Sequence, residues 1–295
     1  MPVHIPHTKN NDLPVCKGQL WSTCKSISKN DGKGELPNED ASLISSKRIG
    51  IADGAGGVGL YAREWANYLL ISLPDKPLAS VTDLNEFLRN HWKLFFEKYK
   101  TKAEEKGNGN KFLTEGSSAT LISVWMDDHR PGFIQWIAVG DSALLIYNID
   151  THKLKPINIS LNTFLNPPFL INWKAALNED GFKSGSFFLH PDEVLLFATD
   201  ALAQYIMLSY ALCSKVNSTE SIQNLSNIMA SSNRINTIIE NMKRKNYPNL
   251  NFHQDVMVPL LLSLGSISHF RKQTNKLLAN GLIDIDDYTL LTLHS

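Results

Sequence analysis

RIGIADGAGGVG, residues 48–59, is the stretch on which the reading of this chain turns. An apolar run (Ile49, Ile51, Ala52) ends at Asp53, four glycines follow within six residues, and an amphipathic stretch starts at Leu60. The pattern predicts a strand, a sharp turn and the start of a helix. At such a turn a carboxylate and a bare backbone can converge on a charged ligand, because glycine tolerates positive φ and has no Cβ in the way. Two chemistries fit. Gly54, Gly56 and Gly59 satisfy the dinucleotide fingerprint G-x-G-x-x-G, whereas Asp53 followed by glycine equally suits a metal carboxylate beside an exposed carbonyl.

On either side of it, Gln19–Ser26, Ala41–Ile44 and Arg48–Ala52 read as short strands, and the polar Gly/Pro stretch Lys29–Asn38 as the loop that delivers Glu39 and Asp40. Past the glycines a helix runs to Pro74, and a second from about Thr82 places Leu84, Phe87, Leu88, His91 and Phe95 on one face. His91 is expected there as a satisfied, half-buried core histidine. Lys106–Lys111 reads as a loop. Ala119–Met126, Phe133–Val139, Ala143–Tyr147, Lys153–Ile157, Ser186–Phe188 and Glu193–Ala198 have strand character, at a spacing that favours hairpins over βαβ crossovers. Asn162–Trp173, with its Pro167-Pro168 pair, is expected to be irregular. Residues 201–280 read mainly helical, with an Asn- and Ser-rich middle and a loop at Lys245–Asn251, before a last strand at Tyr288–Leu293. Strands and helices cluster in separate blocks, which predicts an α+β fold with antiparallel sheets.

Composition bounds the rest. The 295 residues suffice for a sizeable core, and 29 Lys plus Arg against 29 Asp plus Glu leave no global field to draw in nucleic acid or an anionic membrane. Three cysteines (Cys16, Cys24, Cys213) are too few for a disulfide framework and contain no C-x-x-C pair. The first residues, MPVHIPHTKNNDLP, have no apolar core of a secretory signal, and the longest apolar runs fall far short of the roughly 20 residues that cross a bilayer. The expectation is a cytoplasmic monomer with a flexible arm at residues 1–18 and one domain over 19–295; a signal-independent route of secretion stays open.

The dinucleotide reading demands a βαβ unit and an acidic residue about 20 positions beyond the glycines, at the tip of a second strand. Asp75 has the distance, but it follows a helix and sits between Pro74 and Pro77. Asp53 would also repel a pyrophosphate. The metal reading demands oxygen ligands from separate strand ends. Asp53, Asp141 and Asp200 each end an apolar run, Asp286 precedes one, and Glu39-Asp40 stands before another.

In order, NEDA (38–41), ADGAGG (52–57), GSSAT (116–120), VGDS (139–142), ATDAL (198–202) and DDYTLL (286–291) resemble the motif series of the metal-dependent type 2C protein phosphatases. NPPF (166–169) is similar to a segment of that family's divergent branch related to mitochondrial phosphatases. The resemblance runs from about Gly34 to Leu293. It implies a four-layer αββα sandwich of two antiparallel sheets flanked by helices, with a helical variable region over about 203–280. It implies two Mn2+ or Mg2+ ions: Asp53 bridging both, the Gly54 carbonyl on the first, Asp200 and Asp286 on the second, and Glu39 and Asp40 in the outer shell. A water between the ions would attack the phosphorus of a phosphoserine or phosphothreonine protein in line.

Departures from the family pattern accompany the likeness. Glu35 stands where many members carry a phosphate-gripping arginine, so phosphate needs another cation, with Lys33, Arg48 and Arg63 as candidates near in sequence. Ala55 stands where some members have a histidine proposed as general acid, Ala201 replaces the usual glycine, and Gln204 replaces an aspartate for a third ion. Asp141 is therefore either a third-metal ligand or a brace for its turn. These departures motivate an alternative, an inactive pseudophosphatase that binds phosphoproteins.

Overall fold

Successive residues of the central strands point alternately into two different apolar cores, which is why these strands read as unbroken hydrophobic runs rather than as alternating ones. The computed structural model describes residues 20–29, 34, 36–213 and 219–294. One five-stranded sheet has the order β1 (Trp21–Ile27), β12 (Tyr288–His294), β11 (Glu193–Ala198), β7 (Ala143–Asn148), β8 (Leu154–Pro156). The other has the order β10 (Lys183–Phe188), β6 (Phe133–Val139), β5 (Leu121–Met126), β3 (Arg48–Ala52), β2 (Ala41–Ile44). A two-stranded ribbon joins β4 (Ser118–Ala119) to β9 (Ile171–Asn172). Among the described residues every pairing is antiparallel.

Ile122 and Val124 of β5, Ile134 and Trp136 of β6, Leu144 and Ile146 of β7 and Leu195 and Phe197 of β11 fill the core between the sheets. The alternate residues face outward onto helices. Leu121, Trp125, Ile137 and Val139 pack beneath α1 (Ala62–Ser72), α2 (Val81–Glu105) and α3 (Gly109–Glu115). Leu145, Tyr147, Val194 and Leu196 pack beneath α4 (Asp200–Cys213), α5 (Thr219–Ser231), α6 (Asn233–Arg244), α7 (Val258–Ser263) and α8 (Ile267–Ala279). Three cores thus separate four layers, helices on sheet on sheet on helices.

A Ser80–Asp83 capping box starts α2. His91 sits half-buried on it, its Nδ1 2.8 Å from the Phe87 carbonyl. The stretch expected as a loop at Lys106–Lys111 gives way to α3 at Gly109, because Phe112 is drawn fully into the aromatic cluster of Phe95, Phe96 and Trp173. The strand expected at Ala119–Met126 is interrupted at Thr120, whose N–H turns to the Asp53 carbonyl at 2.8 Å. Within the irregular stretch at 162–173, β9 pairs with β4, and the loop at 245–251 contains a 3-10 turn, Tyr247–Asn249. The arm at residues 1–18, Cys16, Lys33 and Glu35 lie outside the described residues. Among the described residues no helix is long and apolar enough to cross a membrane.

Candidate active site

The turn after β3 is held from three sides. Asp53 donates its N–H to Thr120 Oγ1 at 3.1 Å, and that hydroxyl lies 3.0 Å from Ser142 Oγ. Ala55 N–H reaches the Ser118 carbonyl and Gly54 N–H the Glu39 carbonyl, at 3.0 and 3.2 Å. The GSSAT and VGDS segments therefore aim Asp53 rather than contribute only bulk. The glycines follow from close approach: a Cβ on Gly56 would lie 1.9 Å from Glu39 Oε1, and Gly59 combines φ +110° with the Gly116 carbonyl 2.6 Å from where its Cβ would be. The Gly54 carbonyl accepts the Gly56 N–H at 3.0 Å, leaving one lone pair for a ligand.

The remaining acids arrive from other elements. Asp200 opens α4 directly after β11, with Ala201 N–H on its Oδ1 at 2.6 Å. Asp286 precedes β12 and takes the Asp287 N–H on Oδ1 at 2.8 Å. Asp141 follows Gly140, which has φ +99°, at the end of β6. These three, with Asp53 and Glu39, line one cleft of about 440 Å3. Phe164, Leu165, Pro167 and Pro168 form its apolar rim, and Lys29, Gln204 and Arg234 complete its polar wall. Behind it, Asp40 is buried with Oδ2 held by Thr289 Oγ1 at 2.6 Å and Thr199 Oγ1 at 3.2 Å, while Oδ1 has no hydrogen-bond partner.

This concentration of negative charge sets the electrostatics. Burial, and then the charges of Asp40, Asp200 and Asp286, push the Asp53 carboxyl well above the ordinary range. Burial and Asp141 raise Asp200 to about 6, and burial and Asp200 raise Asp286 to about 7. Asp40 and Asp141 are raised as well, each chiefly by burial. The all-oxygen donors, their mutual repulsion and the orphaned Asp40 oxygen fit hard divalent cations. Among the described residues no three His, Cys, Asp or Glu side chains close on a single point as a finished ligand set. The acids surround a cleft.

The sequence candidates for holding phosphate fare differently. Arg48 is buried on the far side of β3, where its Nη atoms donate to the carbonyls of Leu73, Pro74, Leu70 and Ile71 at the end of α1. It terminates a helix, and it is struck from the candidates. Arg63 lines a neighbouring cleft with Ser26, Asn38 and Ser42. Lys33 lies outside the described residues. Two residues escaped the sequence reading. Asp287 is a buried clip that takes the N–H groups of Lys29 and Glu39, each at 2.7 Å; its place beside Asp286 in DDYTLL was the available signal. Arg234 reaches the cleft from α6, and nothing in its local sequence marks it.

Among the described residues the strands pair antiparallel and form no βαβ unit of a dinucleotide fold, and Asp75 is an exposed partner of Lys47 at 3.4 Å. No family model and no curated protein matches the chain. Among solved structures it is similar to Stp1, a serine/threonine phosphatase from Staphylococcus aureus (13% identity, 99% of each chain, TM-score 0.48). It is also similar to the catalytic domain of the serine/threonine protein phosphatase PstP in complex with two manganese ions (13% identity, 93% of this chain and 97% of that one, TM-score 0.45). A third is PppA, described as a key regulatory component of the type VI secretion system (T6SS) in Pseudomonas aeruginosa (17% identity, 94% of this chain and 98% of that one, TM-score 0.46). Likenesses this distant carry no functional argument, and none of these three singles out a mitochondrial branch.

Proposed function

We propose that this chain is a Mn2+- or Mg2+-dependent serine/threonine protein phosphatase. The observation that carries the reading is the cleft itself: Asp53, Asp141, Asp200 and Asp286 are delivered from four different chain segments into one wall whose charge the described cations do not balance. Such an arrangement raises the free energy of the empty protein and is repaid by cations. Asp53, the free lone pair of Gly54, Asp200 and Asp286 hold the ions; Glu39 and Asp40 orient what surrounds them; Asp141 is the candidate ligand for a third. When bound, two such ions acidify water as a nucleophile and neutralise charge on a phosphoryl group. Phe164, Leu165, Pro167 and Pro168 give the cleft an apolar side beside the acids. Ala55 offers no acid to the departing alkoxide, so its proton comes from solvent. Cys24 and Cys213 are free thiols, which suits a cytoplasmic enzyme, and we take it to act as a monomer on phosphoprotein substrates.

The test is hydrolysis of para-nitrophenyl phosphate and of a phosphothreonine peptide with Mn2+, beside Asp53→Ala; turnover no higher than the variant's sinks the reading. Gln204 in the cleft wall favours a second reading, a pseudophosphatase that binds phosphoproteins without hydrolysis. Calorimetric titration separates the two further. Mn2+ binding that is lost in Asp286→Ala supports a working metal centre, and no binding supports the scaffold.

A further inference from the structure

Among the described residues the acidic cleft has two cations in its wall, Lys29 and Arg234, and only a guanidinium can offer two oxygens a planar fork. Lys29 is a single point charge already drawn to neighbouring acids: its Nζ donates to Glu39 Oε2 at 2.8 Å and lies 3.8 Å from Asp287 Oδ2. Arg234 is held differently. Its Nε donates to Asp284 Oδ2 at 2.5 Å, while among the described residues its two Nη atoms have no hydrogen-bond partner. A guanidinium anchored through Nε presents its remaining edge as a fork for two oxygens.

Helix stability does not favour an arginine at position 234. It stands in the first turn of α6, capped by Ser232, where the helix dipole disfavours a cation. Its side chain is 57% exposed, so its pair with Asp284 contributes little to stability. Burial on its own would lower its proton affinity, yet the Asp284 hydrogen bond and the charges of Asp284, Asp200 and Asp286 raise it, so the guanidinium lies within electrostatic reach of the acids. Both ends of the arrangement are firm. Ile235, Ile238, Ile239 and Met242 anchor α6 in the core, and Tyr288 Oη donates to the Asp284 carbonyl at 2.6 Å.

We propose that Arg234 is the residue that grips the substrate's phosphoryl group, its two Nη atoms forked onto two phosphate oxygens while Asp284 positions it through Nε. The assignment rests on the phosphatase reading above, and it places the phosphate-binding function in the helical segment rather than before Glu39. Asp284 is a positioning residue. It touches no substrate, and its removal acts only through the orientation of Arg234.

The experiment is calorimetric titration of inorganic phosphate into the Mn2+-loaded protein, with kcat and KM for a phosphothreonine peptide measured alongside. Losing a charge-assisted fork is expected to weaken phosphate roughly 10- to 100-fold in Arg234→Ala. Arg234→Lys keeps the charge without the fork and should recover only part of that loss; Asp284→Asn should fall between wild type and Arg234→Ala, mainly through KM. Mn2+ affinity should not weaken in any of the three, because each acidic ligand is retained; a matching loss of Mn2+ would mean the metal centre, not the phosphate grip, was damaged and would overturn the assignment. Phosphate binding in Arg234→Ala within about twofold of wild type overturns it too, as does a wild type that binds no phosphate. If wild type binds phosphate through Arg234 but turns over no phosphoester, the phosphatase reading fails and the grip stands. If Arg234→Ala hydrolyses the peptide as wild type does, the grip fails and the reading stands.

Discussion

Replacing Asp286 with asparagine is expected to make the metal-free protein more stable at neutral pH while removing its response to Mn2+. Burial, then the charge of Asp200, lifts the Asp286 carboxyl from the ordinary 3.8 to about 7. A group with a raised folded pKa binds more protons in the folded than in the unfolded state between those two values, so stability falls as pH rises from about 4 to about 7 and the full cost is present above. At about 1.4 kcal/mol for each tenfold change in proton affinity, that cost reaches about 4 kcal/mol. Part of that cost is repulsion from Asp200, which is relieved when either carboxyl of the pair takes a proton, so a smaller figure of about 2 kcal/mol is expected for Asp286 alone. Asparagine keeps the oxygen that accepts the Asp287 N–H and carries no charge to bury.

The assay is thermal unfolding in EDTA. At about pH 7.5 D286N should melt about 5 °C above wild type, and at about pH 4.5 the two should coincide. Added Mn2+ should then raise the wild type and leave D286N nearly unmoved. A D286N protein less stable than wild type at pH 7.5 in EDTA would refute the claim that these carboxylates repel one another in the folded state.

Three further outcomes are expected. Arg48→Met leaves the carbonyls at the end of α1 without their buried donor and should cost about 2 to 4 kcal/mol in urea unfolding, with Mn2+ and phosphate affinities of the folded protein unchanged; a loss of phosphate binding would restore Arg48 to the site. Gly59→Ala must hold a side chain at φ +110° against the Gly116 carbonyl and should cost about 2 to 3 kcal/mol, read as a lower urea midpoint. Burial lowers His294 from 6.5 to about 4, so the unfolded chain takes a proton first and stability should fall as pH drops from about 6.5 to about 4. His294→Phe, which keeps a ring against Trp21, should remove about 3 kcal/mol of that acid sensitivity, measured by unfolding across the same window.

The central strands β3, β5, β7, β11 and β12 were legible because they are buried on both faces and bounded by turn residues, so each hydrophobic run had clear ends. The elements that were misread depend on contacts distant in sequence. The first turn of α3 has no side-chain cap and begins at a glycine; it forms because Phe112 is needed under α2. The break at Thr120 exists because the Asp53 carbonyl, 67 positions away, takes the backbone hydrogen bond that a continuous strand would use. Arg48 was misjudged for the same reason. Five positions before Asp53 along a strand places a residue about 17 Å from it, and the side chain leaves in the opposite direction toward α1.

Acids and cations differ in how far they can wander in sequence without losing function. A carboxylate that shares a hard cation has a side chain of one or two methylenes, so its backbone must be fixed within a narrow distance of the ion, and strand ends are the places in this fold that can fix it. On the proposed metal-centre reading, this is why Asp53, Asp141, Asp200 and Asp286 sit in short motifs tied to those ends. An arginine spans several more bonds, and its fork tolerates approach from many directions. A phosphate grip can thus move from one element to another while the acids stay in place. On that argument an acidic residue at position 35 is no sign of a lost site, provided some other segment presents a guanidinium with its Nη edge unspent. Arg234 is such a residue among those described: stationed in the first turn of α6, it is held through Nε by Asp284, which leaves the Nη edge to an anion entering the cleft.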